Sequence, residues 1–455
     1  MMSRTTILLI AILSACLTCS AGTITDITGS HAGSTGVVSR QSEAVLVPYG
    51  PAYLSAYEPQ SAATLVLVQT PASEPAVEDP AKAAAADQEA AKNAAEKPAE
   101  TAPNDAATTP GNAEKATPAP PQPELSPAMV ALRDRVRRTL ASFARLNLNT
   151  QENTATELMQ YCLAFGCQSE VHLGNSAAKM VNGITCLCWN YPCAGFEPLT
   201  ISQGHIAARL GYGLQEHPAQ LLALLALSRV PPTYPIRVGD DVRTVADLVQ
   251  HERLSCRAGQ DQSLRLIGLS YYADEPTWKN DLGEDWSLER MVKQELDQPI
   301  LGATAGGTYR LMGLSYALDR RAKQKQPIDG QFRRAEEFVG KFEEYALALQ
   351  NSDGSWGPQM LASKGVGRDA ETQLYGTGHV TEWLVMSVDE KVLADFRIVR
   401  SVEYLNNLLG NRRYGSLGSL STREVGSIMH ALHALAVYDQ RMFAPRAPET
   451  RGQGG

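Results

Sequence analysis

From about residue 200 onward, apolar positions recur at helical spacing in two alternating kinds of segment. One kind is apolar on nearly every side: residues 220–228, 262–272, 308–318, 379–386 and 427–437. A helix of that character needs neighbours all round. The other kind, at 242–254, 286–296, 332–350 and 394–409, carries apolar residues on one face and charge on the opposite one. Such helices belong to an outer, half-solvated layer. The alternation predicts an all-α chain of helical hairpins, each with one buried and one amphipathic member.

Two of the apolar segments are copies. Arg265-Leu-Ile-Gly-Leu-Ser-Tyr-Tyr-Ala-Asp274 lies over Arg310-Leu-Met-Gly-Leu-Ser-Tyr-Ala-Leu-Asp319 at an offset of 45 residues. A fixed period of that length signals a repeated supersecondary unit. Gly268 and Gly313 occupy the same place in the two copies, although glycine costs about 1 kcal/mol relative to alanine inside a helix. Close approach of a neighbouring helix at that point would account for both. Hairpins of this kind stack into an open solenoid or a closed double ring.

The segment after 332–350 bears on that choice. Gln350, Asp353, Gly354, Ser355, Trp356 and Gly357 form Gln…Asp-Gly-Ser-Trp-Gly, which resembles the repeat motif of the squalene cyclase and protein prenyltransferase superfamily. The resemblance implies an α/α toroid, a ring of helical hairpins, over roughly residues 200–440. In physical terms the motif is a helix exit: Asp and Ser bond local backbone, and Trp fills the space between hairpins. The catalytic parts of that superfamily do not accompany it. No Asp-x-Asp-Asp occurs, so a terpenoid cyclase is disfavoured. Leu254 stands where the prenyltransferase zinc pattern Asp-x-Cys would need its Asp before Cys256. Cys256-Arg-Ala-Gly-Gln260 does not reproduce the Cys-Gly-Glu-Gln of thioester proteins. Asp240-Asp241 reads as a cap for the following helix.

Composition divides the rest of the chain. Residues 1–21 have a basic Arg4 and a short apolar run, an export signal too short to span a bilayer. Leu13-Ser-Ala-Cys16 fits a lipobox, so Cys16 is a lipidation candidate, while cleavage after Cys19-Ser-Ala21 would release a soluble form. Residues 22–125 end in an Ala/Pro-rich tract with almost no large apolar side chains, which reads as a disordered linker. The folded domain is expected over 126–445, opening with a basic amphipathic helix at 128–146, and a short disordered tail follows at 446–455. A net charge of −8 argues against a nucleic-acid partner, and any membrane contact would run through Cys16.

Six cysteines fall in the folded part: Cys162, Cys167, Cys186, Cys188, Cys193 and Cys256. In an exported protein an even count suggests disulfides; buried reduced thiols and a metal site are the alternatives. The spacing lacks the paired Cys-x2-Cys of zinc ribbons, and no metal or cofactor is expected. Polar residues at the starts of the apolar helices are the cavity candidates: His205, Gln220, Gln262, His379 and Glu382, with Trp189 at the rim. His379 and Glu382 stand three apart and can share a helix face for acid–base work. His430 and His433 read as packing residues. These features point to an exported, membrane-anchored toroid that binds a ligand or an envelope protein. A glycan-active hydrolase or lyase on the same scaffold is the enzymatic alternative.

Overall fold

The structure, a computed structural model, describes residues 125–146, 148–411 and 420–444. The expected export signal with Cys16, nearly all of the expected linker and the expected tail lie outside the described residues. Twelve α-helices occur among those described: α1 Pro127–Phe143, α2 Ala155–Phe165, α3 Gly183–Cys188, α4 Gln220–Leu227, α5 Val245–Leu254, α6 Ser263–Tyr272, α7 Leu288–Leu296, α8 Thr308–Lys323, α9 Gly330–Leu349, α10 Ala370–Ser387, α11 Phe396–Gly410 and α12 Thr422–Phe443. None is long and apolar enough to cross a membrane.

Local sequence fixes many of the starts. Thr154 with Glu157, Asp369 with Thr372, and Ser421 with Glu424 close reciprocal capping boxes before α2, α10 and α12. Ser126, Asn182 and Ser287 cap α1, α3 and α7 with a side-chain oxygen.

The even-numbered helices are the apolar ones, and they pack on one another. Contacts run from α2 to α4, α4 to α6, α6 to α8, α8 to α10, α10 to α12, and from α12 back to α2. Every residue of α4 is buried, as is every residue of α10 from Leu374 to Val385. The two repeat glycines mark where neighbours meet. A Cβ on Gly268 would come within 2.7 Å of the Leu222 side chain on α4. One on Gly313 would come within 2.6 Å of the Ser263 carbonyl on α6. The repeat arginines turn outward to a glutamate on the preceding odd-numbered helix. Arg265 Nε donates to Glu252 at 2.9 Å and Arg310 Nε to Glu295 at 2.8 Å, all four side chains being buried.

The Gln350–Gly357 stretch is built as a plug. Trp356 is 1% exposed and its indole Nε1 donates to the Ala346 carbonyl at 2.8 Å. Asp353 accepts from the Ser355 amide at 3.0 Å and from its hydroxyl at 2.7 Å. Gln350 Nε2 donates to the carbonyls of Gly354 and Arg397, tying α9 to α11.

Among the described residues, four two-stranded antiparallel hairpins fall between residues 170 and 287: β1 Glu170–His172 with β2 Met180–Asn182, β3 Leu199–Ser202 with β4 His205–Ala208, β5 Pro235–Val238 with β6 Asp241–Thr244, and β7 Thr277–Lys279 with β8 Asp285–Ser287. The helical pattern did not announce them. Asp240 and Asp241 were expected to cap a helix; instead Gly239 and Asp240 form the turn of the third hairpin and Asp241 opens β6. Gly239 takes a left-handed φ of 59°, which a tight hairpin turn requires and a helix cap at that point does not. Thr244 takes the N-cap position of α5.

Candidate functional site

The polar residues of the core converge on α10 and α12. His379 and Glu382 lie on α10, one turn apart, and His430 and His433 lie on α12 with the same spacing. All four are fully buried. His430 Nδ1 stands 2.6 Å from Glu382 Oε2, and His433 Nδ1 is in hydrogen-bond contact with Oε1. Both oxygens of one carboxyl group are thus held by imidazoles. On the other side of His430, Nε2 meets the hydroxyl of Tyr309, from the first turn of α8, at 3.3 Å. The result is a line of phenol, imidazole and carboxyl.

His379 does not bond Glu382 directly. Its ring stacks on that of His430, with centroids 3.8 Å apart. Its Nδ1 lies 2.8 Å from the Tyr375 carbonyl, which can only accept, so Nδ1 carries the proton. Nε2 is therefore a bare lone pair, buried and without a partner. A buried polar atom left unsatisfied costs about 1–3 kcal/mol, a cost seldom retained for packing alone. His217, ahead of α4, completes the cluster: its ring meets that of Tyr309 edge-on at 5.5 Å, and it is only partly covered.

Charge in the cluster is set by burial. Burial pushes the Glu382 carboxyl well above the usual carboxylate range. It holds His433 well below the ordinary imidazole value, and His430 likewise, with His379, His433 and His217 adding repulsion. His379 is lowered to about 3, by burial first and by His217 second. Near neutral pH the centre is uncharged. A protonated Glu382 donates to one imidazole Nδ1 and accepts from the other, which satisfies both contacts with no buried net charge.

Glu216 and His217, ahead of α4, flank the cluster through the His217–Tyr309 ring contact; both Glu216 carboxyl oxygens and His217 Nε2 are buried without a hydrogen-bond partner. Burial raises Glu216 to about 8, against a lowering pull from the Gly213 amide, with Glu157 adding to the rise. His217 is lowered, again by burial, with Asp261 acting in the opposite sense. Gln220 Oε1 accepts from the backbone amides of Glu216 at 3.0 Å and His217 at 3.4 Å, fixing the pair ahead of α4.

Other candidates lie apart from this centre. His205 was expected at an inner-helix start, but it sits on β4, where its Nδ1 pairs with Asp247 of α5 at 2.9 Å. The hairpin that carries it was the feature missing from a purely helical reading. Gln262 stands at the N-cap of α6 and holds Arg265 Nη1 at 2.6 Å, a positioning contact in the Arg265–Glu252 network. Trp189 is exposed at the end of α3. Cys162, Cys167, Cys186, Cys188, Cys193 and Cys256 are all free thiols, and only Cys167 is not fully covered. Cys162 is drawn from α2, and Cys186 and Cys188 from α3. Among the described residues no group of three or more His, Cys, Asp or Glu stands in metal-holding geometry.

A cavity of about 670 Å³ opens elsewhere, where the C-terminal ends of α4, α6, α8, α10 and α12 come together. Leu227, Tyr271, Tyr316, Met386 and Val437 form its walls, with Arg229, Asp319, Arg320, Lys323, Glu390 and Arg441 around them. Compared with protein-family models, with curated proteins and with solved structures, the chain matches none.

Proposed function

We propose that the chain is an exported, lipid-anchored α/α toroid with an acid–base centre among its inner helices, acting as a glycan lyase. The ring is supported by the cyclic order of contacts among the even-numbered helices and by the cavity into which five of their C-terminal ends run. The enzymatic reading is carried by one observation, the hydrogen-bonded line Tyr309–His430–Glu382 beside the unpartnered Nε2 of His379.

Elimination fits these groups better than hydrolysis. A glycosidase of the usual kind places two carboxyl groups on either side of the scissile bond, about 5–10 Å apart. Here the deep centre has one carboxyl group, and imidazoles occupy both of its oxygens. Elimination from a uronate needs a base to take the proton beside the sugar carboxylate and an acid to protonate the departing glycosidic oxygen. The carbon–oxygen bond breaks as the carbon–carbon double bond forms, so no water or redox partner is consumed. Ahead of α4, His217 is neutral at pH 7 and suits the base, and Glu216 still holds its proton and suits the acid; their reacting atoms are buried, so a substrate reaches them only when the segment before α4 opens. Tyr309 stands behind His217 through their ring contact, and His430 behind Tyr309 through a hydrogen bond.

The direct assay follows ultraviolet absorbance of the new conjugated double bond on uronate-containing polysaccharides. Tyr309→Phe and His430→Gln should each lower turnover by roughly 10²-fold or more, with urea midpoints recorded alongside to separate chemistry from stability. Absence of product with every uronate polymer would end the lyase reading. A non-catalytic binding role is the second reading, favoured by full burial of the deep cluster and by the position of the large cavity on the other side of the helices.

A further inference from the structure

We infer that the cavity at the C-terminal ends of α4, α6, α8, α10 and α12 is a binding site for a small ligand with a carboxylate or phosphate group on a sugar-sized body. Its volume, about 670 Å³, is in the range of small-molecule sites. Helix C-termini alone would favour a cation there, because their last carbonyls are unpaired and carry partial negative charge. The side chains reverse that preference. Arg441 takes the terminal carbonyls of α10, donating to Val385 at 2.7 Å, Met386 at 2.9 Å and Val388 at 2.8 Å. Lys323 pairs with Asp319 at 2.6 Å, which cancels one of the two acidic groups on the lining.

Two guanidinium groups are then left for a ligand. Arg320 lies over the Tyr271 ring at 4.7 Å, and its Nε is buried with no hydrogen-bond partner. Arg229 stands two residues beyond the end of α4 with a left-handed φ of 54°, and it forms no ion pair among the described residues. Both line the cavity together with Tyr316. Paired guanidinium groups match the planar oxygens of carboxylate or phosphate, and Tyr271 and Tyr316 supply flat walls for a ring. This site shares no residue with the Glu216–His430 centre, so it stands or falls independently of the lyase reading.

The test is calorimetric titration of the full chain with glucuronate, glucose 6-phosphate, inorganic phosphate and glucose at fixed ionic strength. Glucuronate or glucose 6-phosphate should bind saturably at one site, with neutral glucose at least about tenfold weaker. The stronger of the two anionic sugars identifies the head group, and comparison with inorganic phosphate shows whether the sugar body adds affinity. Arg229→Gln with Arg320→Gln should weaken the anionic sugar by about tenfold or more while leaving the thermal midpoint unchanged. Arg320→Lys, which keeps the charge and loses the fork, should weaken it by less. Equal binding of glucose, an unaffected double variant, or no binding of either anionic sugar at millimolar concentration would overturn the inference.

Discussion

His379 should make the protein sensitive to acid in a way that one substitution can isolate. Its imidazole is fully buried, stacked on His430 and faced by Tyr309 and Tyr375, with no carboxylate bonded to it. Its pKa is lowered from 6.5 to about 3. Between those values the unfolded chain binds a proton that the folded one refuses, so stability rises with pH through this window and is lost as pH falls below 6.5. Each pH unit across the window is worth about 1.4 kcal/mol for one such group. Acidifying from pH 6.5 to pH 4 therefore costs about 3 kcal/mol through His379 alone, a large part of a typical stability of about 5–15 kcal/mol. His379→Gln does not titrate and removes that slope. Lost ring packing should make the variant less stable than wild type at pH 7, by about 1–2 kcal/mol. The gap should close, and then reverse, as the pH drops toward 4. Urea midpoints of both proteins at half-unit intervals measure this. Parallel profiles over the whole range would show that His379 already accepts a proton in the folded state, and the neutral-cluster account would fail.

Three further outcomes follow from the packing. Trp356→Ala should cost roughly 3–5 kcal/mol in a urea melt, since it empties a fully buried site and frees the Ala346 carbonyl; a shift near zero would mean that the motif is not a plug. Arg265→Leu should cost roughly 3–5 kcal/mol because Glu252 would remain buried without its partner. The double variant Arg265→Leu, Glu252→Leu should recover much of that loss, and equal destabilisation of both would argue against a buried ion pair. Cys186 and Cys193 are fully buried, and the Cys186 thiol is held well above its ordinary value by its contact with Cys193 and by burial, so mild oxidation should reach the partly covered Cys167 before either of them. Peptide mapping that finds Cys186 or Cys193 oxidised ahead of Cys167 would contradict the arrangement.

The helical layout was legible because burial follows sequence here with little interference. Segments 220–228, 262–272 and 308–318 lack a polar face, and they fold as α4, α6 and the first part of α8. The hairpins were hidden by their length. Strands of three or four residues carry too little alternation to be heard beside flanking helices, although Gly239-Asp240 between Ile236 and Val242 is a turn signal in its own right. Missing them put His205 on the wrong kind of element. In the centre, His379 and Glu382 stand three apart on α10, but they do not bond each other. The partners of this pair, His430, His433, Tyr309 and His217, stand on other helices or before them, all 51 residues or more from His379. Two histidines at the same three-residue spacing on α12 were the available clue. Only their meeting across the α10–α12 contact shows that both bind one carboxyl group.

The central claim is that Glu216 and His217 serve as acid and base in a centre that breaks a uronate linkage by elimination. The most direct measurement is kcat/KM for that reaction against pH, for wild type, Glu216→Gln and His217→Gln. Wild-type activity should fall on the alkaline side near pH 8, where Glu216 loses the proton it must donate, and on the acid side as His217 gains one. Each variant should lose roughly 10²-fold or more while keeping its urea midpoint. A pH profile that stays flat through 8, or variants that turn over as fast as wild type, would contradict the account.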